Sequence, residues 1–291
     1  MERAARLIRA GKLVAFPTET VYGLGANALD AAAVERIFVA KGRPRTSPLI
    51  VHVDSVEMAR GLASRWPDSA ETLARRFWPG PLTLVVPKRA EIPDVVTAGL
   101  PTVGLRMPAH PLALELIRAA GVPIAAPSAN RFTELSPTSA QHVPLSLADY
   151  VLDGGAARVG IESTVLSLVD RPVLLRPGVI PLPEIEALIG AVEVMETPGA
   201  GPHASPGMHA RHYRPATPLY LLEPGERPPQ GNGAWLRIGQ ELPAVALEYA
   251  AMLYETLHRL DAERLDWIAV ERPPETAEWA GVLDRLRRAA G

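Results

Sequence analysis

The sequence predicts a two-domain α/β protein. Three observations carry that reading: apolar runs of strand length alternate with stretches of helical periodicity, a Pro-, Gly- and His-crowded segment interrupts them once, and the alternation then resumes. Length agrees, because 291 residues exceed the usual size of one domain and suffice to bury a substantial core. Hydrophobic residues at 47% and charged residues at 21% are too apolar a balance for intrinsic disorder.

The first ten residues place Leu7 and Ile8 on one helical face with Gly11 as the stop, and Leu13 to Phe16 reads as a buried strand. Asp30 can cap a helix in which Val34, Ile37 and Phe38 sit at helical spacing, and Leu49 to Val53 is the next strand. Further strands are expected at Leu82 to Val86, Val103 to Met107, Pro123 to Ala126, Thr164 to Val169 and Val173 to Leu175, with helices around 55–64, 69–77 and 111–119. From Thr197 to Pro215 no periodicity survives, and this stretch reads as a linker. Strands follow at Leu219 to Leu222, Ala234 to Ile238 and Trp267 to Val270, with a helix carrying Leu247, Ala250, Tyr254 and Leu257 and a last one carrying Trp279, Val282, Leu283 and Leu286. The expected division is therefore 1–195, a linker at 196–216, and a small α/β domain at 217–291.

Composition removes several classes of function. The absence of cysteine excludes disulfides, thiolate metal sites and cysteine nucleophiles. No apolar run is long enough to cross a bilayer, and MERAARLIRAGK lacks a signal peptide's apolar centre, so no membrane association and a cytoplasmic location are expected. With 30 basic against 32 acidic residues the chain lacks the overall charge of a dedicated nucleic-acid binder, although a local basic cleft stays open. The run Gly23 to Ala28 matches a dinucleotide-binding fingerprint, but PTETVY separates it from the preceding strand and Asp54 comes later than the expected acid. No phosphate-loop, zinc-protease or serine-hydrolase motif is present.

The residues suited to chemistry lie near strand ends. KGRPRTSPLIVHV gathers Lys41, Arg43 and Arg45 with no acid before Asp54, which suits an anion such as a polyphosphate or, alternatively, a solvated helix C-terminus. His52 shares a strand face with Ile50, as a core histidine or as a polar group aimed into a pocket. In Thr102 to Met107 one face is apolar, while Thr102, Gly104 and Arg106 share the other, with Thr102 and Arg106 about 13 Å apart. That guanidinium needs an anion, either a ligand's or a carboxylate elsewhere in the chain. APSANRFTELSPTSA adds Ser128, Asn130, Ser136 and Thr138, which otherwise read as a surface turn. Glu162-Ser163-Thr164 and LLRPG, with Arg176, add one more hydroxyl and one more cation.

FPTETVYGLG, KGRPRTSPLIVHV, TVGLRMP, APSAN, ESTV and LRPG, in this order, resemble the YrdC-type domain, and SPGMHARHYRP resembles the linker of its two-domain members, the threonylcarbamoyl-AMP synthases. The resemblance implies a YrdC-like (DHBP synthase-like) mixed twisted sheet with a concave basic cavity, followed by a small Rossmann-like α/β domain. It implies that L-threonine, bicarbonate or carbon dioxide, and ATP become threonylcarbamoyl-AMP and pyrophosphate, a nucleotidyl transfer. The product would pass to a transferase that modifies tRNAs reading codons beginning with A.

By motif matching, the threonine pocket would be Thr20, His52, Arg106, the backbone at Ala126, and Ser163. The ATP site would be Arg43, Ser47, Thr102, Ser128, Asn130, Ser136, Arg176 and Tyr213, with Lys41 and Arg43 as the catalytic cations. Magnesium would arrive with ATP, and no protein metal site is expected. His203, His209 and His212 lack a fixed fourth ligand for zinc, and the resemblance makes that segment a lid. Ala210 and the short terminal domain depart from the family's pattern. The rival reading is a non-catalytic module binding double-stranded RNA or tRNA, and a weak tRNA contact is left open. Hydrogenase-maturation relatives carry zinc-finger cysteines, which this chain lacks.

Overall fold

The computed structural model describes residues 1–195 and 213–290. The expected lid and its three histidines therefore lie almost wholly outside the described residues, with Tyr213 and Arg214 inside them. Helix α1 (Glu2–Arg9) stops just before Gly11, whose φ of +70° glycine adopts without strain. Strand β1 (Val14–Phe16) returns antiparallel into β2 (Gly23–Asn27), and α2 (Ala31–Lys41) follows with the Asp30 carboxylate accepting from the Ala32 and Ala33 N–H groups. Next come β3 (Ile50–His52), α3 (Val56–Leu62), α4 (Asp68–Phe77), β4 (Leu82–Pro87), α5 (Asp94–Thr97), β5 (Thr102–Arg106), α6 (Pro111–Ala120) and β6 (Ile124–Ala125). The first domain closes with β7 (Tyr150–Val151), β8 (Thr164–Ser167), β9 (Val173–Arg176), α7 (Leu182–Ile189) and β10 (Glu193–Val194).

These strands form one mixed, ten-stranded sheet in the order β10-β9-β8-β4-β5-β3-β6-β2-β1-β7. Strand period sorts the side chains, so that Ala15 joins a core with Val34, Ile37 and Leu73 while Val14 and Phe16 join Ile8, Leu116 and Ile124. The run weighed as a dinucleotide fingerprint is instead strand β2, where a Cβ on Gly25 would meet Ile124 and the Phe16 ring at 2.8 Å. Its glycines admit neighbouring side chains.

The second part holds β11 (Leu219–Leu222), β12 (Gly233–Leu236), α8 (Ala246–Ala262), β13 (Trp267–Glu271) and α9 (Ala280–Ala290), with a parallel sheet in the order β11-β13-β12. Its core of Leu253, Leu257, Ile268, Val270 and Leu286 also takes in Val21, Leu135 and Ile161 from the first domain. Backbones meet twice at this junction: a Cβ on Gly160 would stand 2.2 Å from the Ala250 carbonyl oxygen, and one on Gly281 2.4 Å from that of Gly178. Among the described residues, no helix is long and apolar enough to cross a membrane.

Candidate active site

Parallel pairing of β3 with β5 sets His52 opposite Arg106 and Ile50 opposite Gly104. Loops at neighbouring strand ends add Thr18, Thr20, Val21 and Gly23, Ala126 to Ser128, and Glu162 with Ser163, and together with Arg43, Arg176 and Tyr213 they line one cavity, open to solvent, with about 520 Å³ of atom-free space. Residues more than 150 positions apart in sequence thus face a common hollow.

The buried Arg106 donates from Nη2 to Glu19 Oε1 at 2.7 Å and from Nε to the Gly80 carbonyl at 3.3 Å. Glu19 also accepts from the Ala109 N–H at 3.0 Å. Of the two anions expected for this guanidinium, the structure supplies the internal carboxylate, and the side chain also lines the cavity. His52 touches the edge of the Phe16 ring, with centroids 5.8 Å apart, and its Nδ1 has no hydrogen-bond partner. Burial, with Arg106 beside it, pushes the His52 pKa down to about 3, so the ring is neutral at physiological pH. Thr20 lines the cavity, its hydroxyl sharing a 2.8 Å hydrogen bond with that of Thr18.

A second cationic group lies beside Tyr213. Arg43 donates to the Ser47 and Pro48 carbonyls at 3.4 and 3.1 Å, and burial followed by repulsion from Arg176 brings its pKa down to about 10, so it remains charged. Arg176, the last residue of β9, donates through Nε and Nη2 to the Ser163 carbonyl at 3.1 and 3.0 Å and through Nη2 to Ser163 Oγ at 3.2 Å. The Ser163 hydroxyl also pairs with Thr83 Oγ1 at 2.8 Å. Tyr213, at φ +63°, is buried with the Arg285 guanidinium 5.4 Å from its ring centroid.

Several expected contact residues stand behind the wall. The Lys41 ammonium donates to the carbonyls of Ser128, at 2.6 Å, and of Asn130, so it props the APSAN loop from behind. Burial and Arg43 hold its pKa well below the ordinary lysine value. Asn130 spends its amide on the Arg131 and Glu134 carbonyls, and the Ser136 hydroxyl donates to Glu162. Ser47 is buried under the Arg43 loop. Thr102 shares the strand face expected of it but lines another hollow, with Thr83, Thr97 and Gly104, that has Ile50 in common with the first.

Sequence reading passed over Glu19 and Glu162, although both lie in quoted motifs. A buried carboxylate needs a cation and several donors, so a lone acid within each apolar block was the available signal. Burial alone would raise the Glu162 pKa, but Arg285, Arg176 and the Ser136 hydrogen bond bring it below the ordinary carboxylate value. Arg285 carried no comparable signal, since its partner is 123 positions away.

Residues 6–178 match the Sua5/YciO/YrdC family model, described as telomere recombination, and residues 180–291 match the model described as the C-terminal domain of threonylcarbamoyl-AMP synthase. The chain is 44% identical to the threonylcarbamoyl-AMP synthase of Pyrococcus abyssi, covering 99% of this chain and 93% of that one, and 43% identical to that of Bacillus subtilis, covering 99% and 92%. The crystal structure of P. abyssi Sua5 complexed with L-threonine superimposes with a TM-score of 0.92 at 42% identity, covering 99% of this chain and 93% of that one. Matched over its whole length by relatives of the same two-domain build, the chain belongs to the threonylcarbamoyl-AMP synthase family.

Proposed function

We propose that this chain condenses L-threonine, carbon dioxide or bicarbonate, and ATP into threonylcarbamoyl-AMP and pyrophosphate. The observation that carries the reading is one cavity lined by Arg106, beside neutral His52, and by Arg43 and Arg176, beside Tyr213. Arg106 suits an amino acid carboxylate and the other two a chain of phosphates. The relative solved in complex with L-threonine supports threonine as a substrate.

In this reading Arg106 grips the threonine carboxylate, with Thr20, His52, Ser163 and the Ala126 backbone around the rest of the amino acid. The neutral amine attacks carbon dioxide and loses a proton, giving a carbamate. A carbamate oxygen then bonds to the α-phosphorus of ATP as the bond to the bridging oxygen breaks and pyrophosphate leaves. No protein nucleophile is required. Positioning of the reactants supplies on the order of 7 to 11 kcal/mol of such a barrier, and Arg43 and Arg176 stabilise the charge on the transferring group. Lys41 acts through the Ser128 to Asn130 loop that it holds.

Glu19 and Glu162, the carboxylates beside the cavity, are each committed to an arginine. Among the described residues no group of three or more His, Cys, Asp or Glu is arranged to hold a metal. These side chains do not make a magnesium cage, and the proposal leaves that ion on the triphosphate with its waters. The product is passed to a transferase acting on tRNAs that read codons beginning with A.

Pyrophosphate release from ATP, with and without L-threonine and bicarbonate, tests the reading. Release that requires both and yields threonylcarbamoyl-AMP by mass spectrometry is expected. Release indifferent to threonine, or none alongside tight and steeply salt-dependent tRNA binding, contradicts it.

A further inference from the structure

Arg285 is on α9 of the second domain, yet its guanidinium is buried against the first. Its Nε donates to Glu162 Oε2 at 2.8 Å, Nη2 to the Glu162 carbonyl at 3.1 Å, and Nη1 to the Pro177 carbonyl at 2.9 Å. Glu162 and Pro177 directly flank Ser163 and Arg176, the residues that β8 and β9 deliver to the cavity. One side chain therefore clamps both strand ends, while its positive face lies 5.4 Å from the Tyr213 ring centroid. Glu162 itself lines the cavity, with Oε1 accepting from Ser136 and Oε2 from Arg285 and, at 3.4 Å, the Tyr254 hydroxyl of α8.

The cavity wall thus contains a carboxylate on the side where Arg43 and Arg176 would receive phosphates. Left unpaired, it would repel them. Resting on the proposed function, we infer that Arg285 is a positioning residue by which the second domain completes the nucleotide half of the site, holding Glu162 as a neutralised pair and fixing Arg176 through the Pro177 carbonyl. The second domain is in this account part of the catalytic apparatus, acting through Glu162.

Separate KM values for ATP and L-threonine in Arg285→Met, Arg285→Lys and the double variant Arg285→Met/Glu162→Gln test this. Arg285→Met is expected to raise the ATP KM about tenfold or more, because a like charge then faces the phosphates, and to move the threonine KM by less than about threefold. Deprived of its cation, the buried Glu162 takes up a proton more readily, so the ATP defect relative to wild type shrinks as pH is lowered from about 8 to about 6.5. The other titratable or charged groups facing this site are Asp284 and Arg288 on α9, Tyr254 on α8, Tyr213, Lys41 and Arg176, and none of them is substituted in any variant.

The double variant is expected to recover ATP affinity, a rescue that a packing role alone would not give. Should Arg285→Met not fold, Arg285→Lys carries the test: it keeps the charge that neutralises Glu162 but loses the planar fork that also holds the Pro177 carbonyl, so the ATP KM rises several-fold while the threonine KM moves by less than about threefold. Equal changes in both KM values, no pH dependence and no rescue would overturn the inference. Wild-type release that depends on threonine tests the functional reading separately, so a failure here leaves that reading standing.

Discussion

Arg106 serves the fold and the site at once. Its carboxylate partner Glu19 solves the burial of a guanidinium, and the same side chain forms part of the cavity wall. Strand period made its direction legible in the sequence, because Thr102, Gly104 and Arg106 share the less apolar face of β5. Its partner was not legible, being 87 residues away on a different loop. Removing Glu19 leaves that charge buried alone, so Glu19→Gln is expected to cost about 3 to 5 kcal/mol in urea denaturation, whereas a loss under 1 kcal/mol would deny the pair its role.

His52 gives the pH prediction at this scale. Its folded pKa of about 3 lies below the ordinary value, so between about pH 6.5 and 5 the unfolded chain binds the proton that the folded chain refuses. Stability therefore falls with falling pH, at up to about 1.4 kcal/mol per pH unit from this group. His258, held at about 4 by burial and by His142 stacked on it at 3.9 Å, acts in the same direction. His52→Leu is expected to flatten the slope by about one proton's worth, as measured by urea denaturation across that window.

At the scale of elements, the expected strands and helices were mostly legible, because apolar period and caps are local signals. Asp30 caps α2, and 69–77 falls within α4 (Asp68–Phe77). Strand β2 escaped because two glycines in five residues argue against a strand by propensity, and the packing that explains them, Phe16 and Ala126 on Gly23 and Phe16 and Ile124 on Gly25, is tertiary. Gly25→Ala is accordingly expected to destabilise by about 1 to 3 kcal/mol through overpacking against Phe16 and Ile124, measured by thermal or urea denaturation. The APSAN loop illustrates the same limit: its residues were picked out, yet Asn130 and Ser136 turn their polar groups to the loop and to Glu162. Lys41 is legible as a cation but not as the prop beneath Ser128 and Asn130.

For the whole molecule, the meeting of the two domains decides what the site becomes. A near-neutral chain concentrates three arginines in one hollow and balances them with carboxylates, one of which is held by the second domain. Backbone contact at Gly281 and Gly178 makes this docking intolerant of side chains. Gly281→Val is therefore expected to split the unfolding of the chain into two transitions and to lower threonine-dependent turnover, read by calorimetry and pyrophosphate release. An unchanged single transition would mean that the junction carries no cooperativity. None of this was visible in the sequence, where contacts between distant segments leave no periodic trace.

The most direct measurement is L-threonine binding by titration calorimetry to the wild type and to Arg106→Ala. The account requires saturable one-to-one binding by the wild type and a loss of affinity of at least about thirtyfold in the variant, the scale of a buried charge-assisted contact. Equal affinities in the two proteins, or no heat with the wild type, would contradict it.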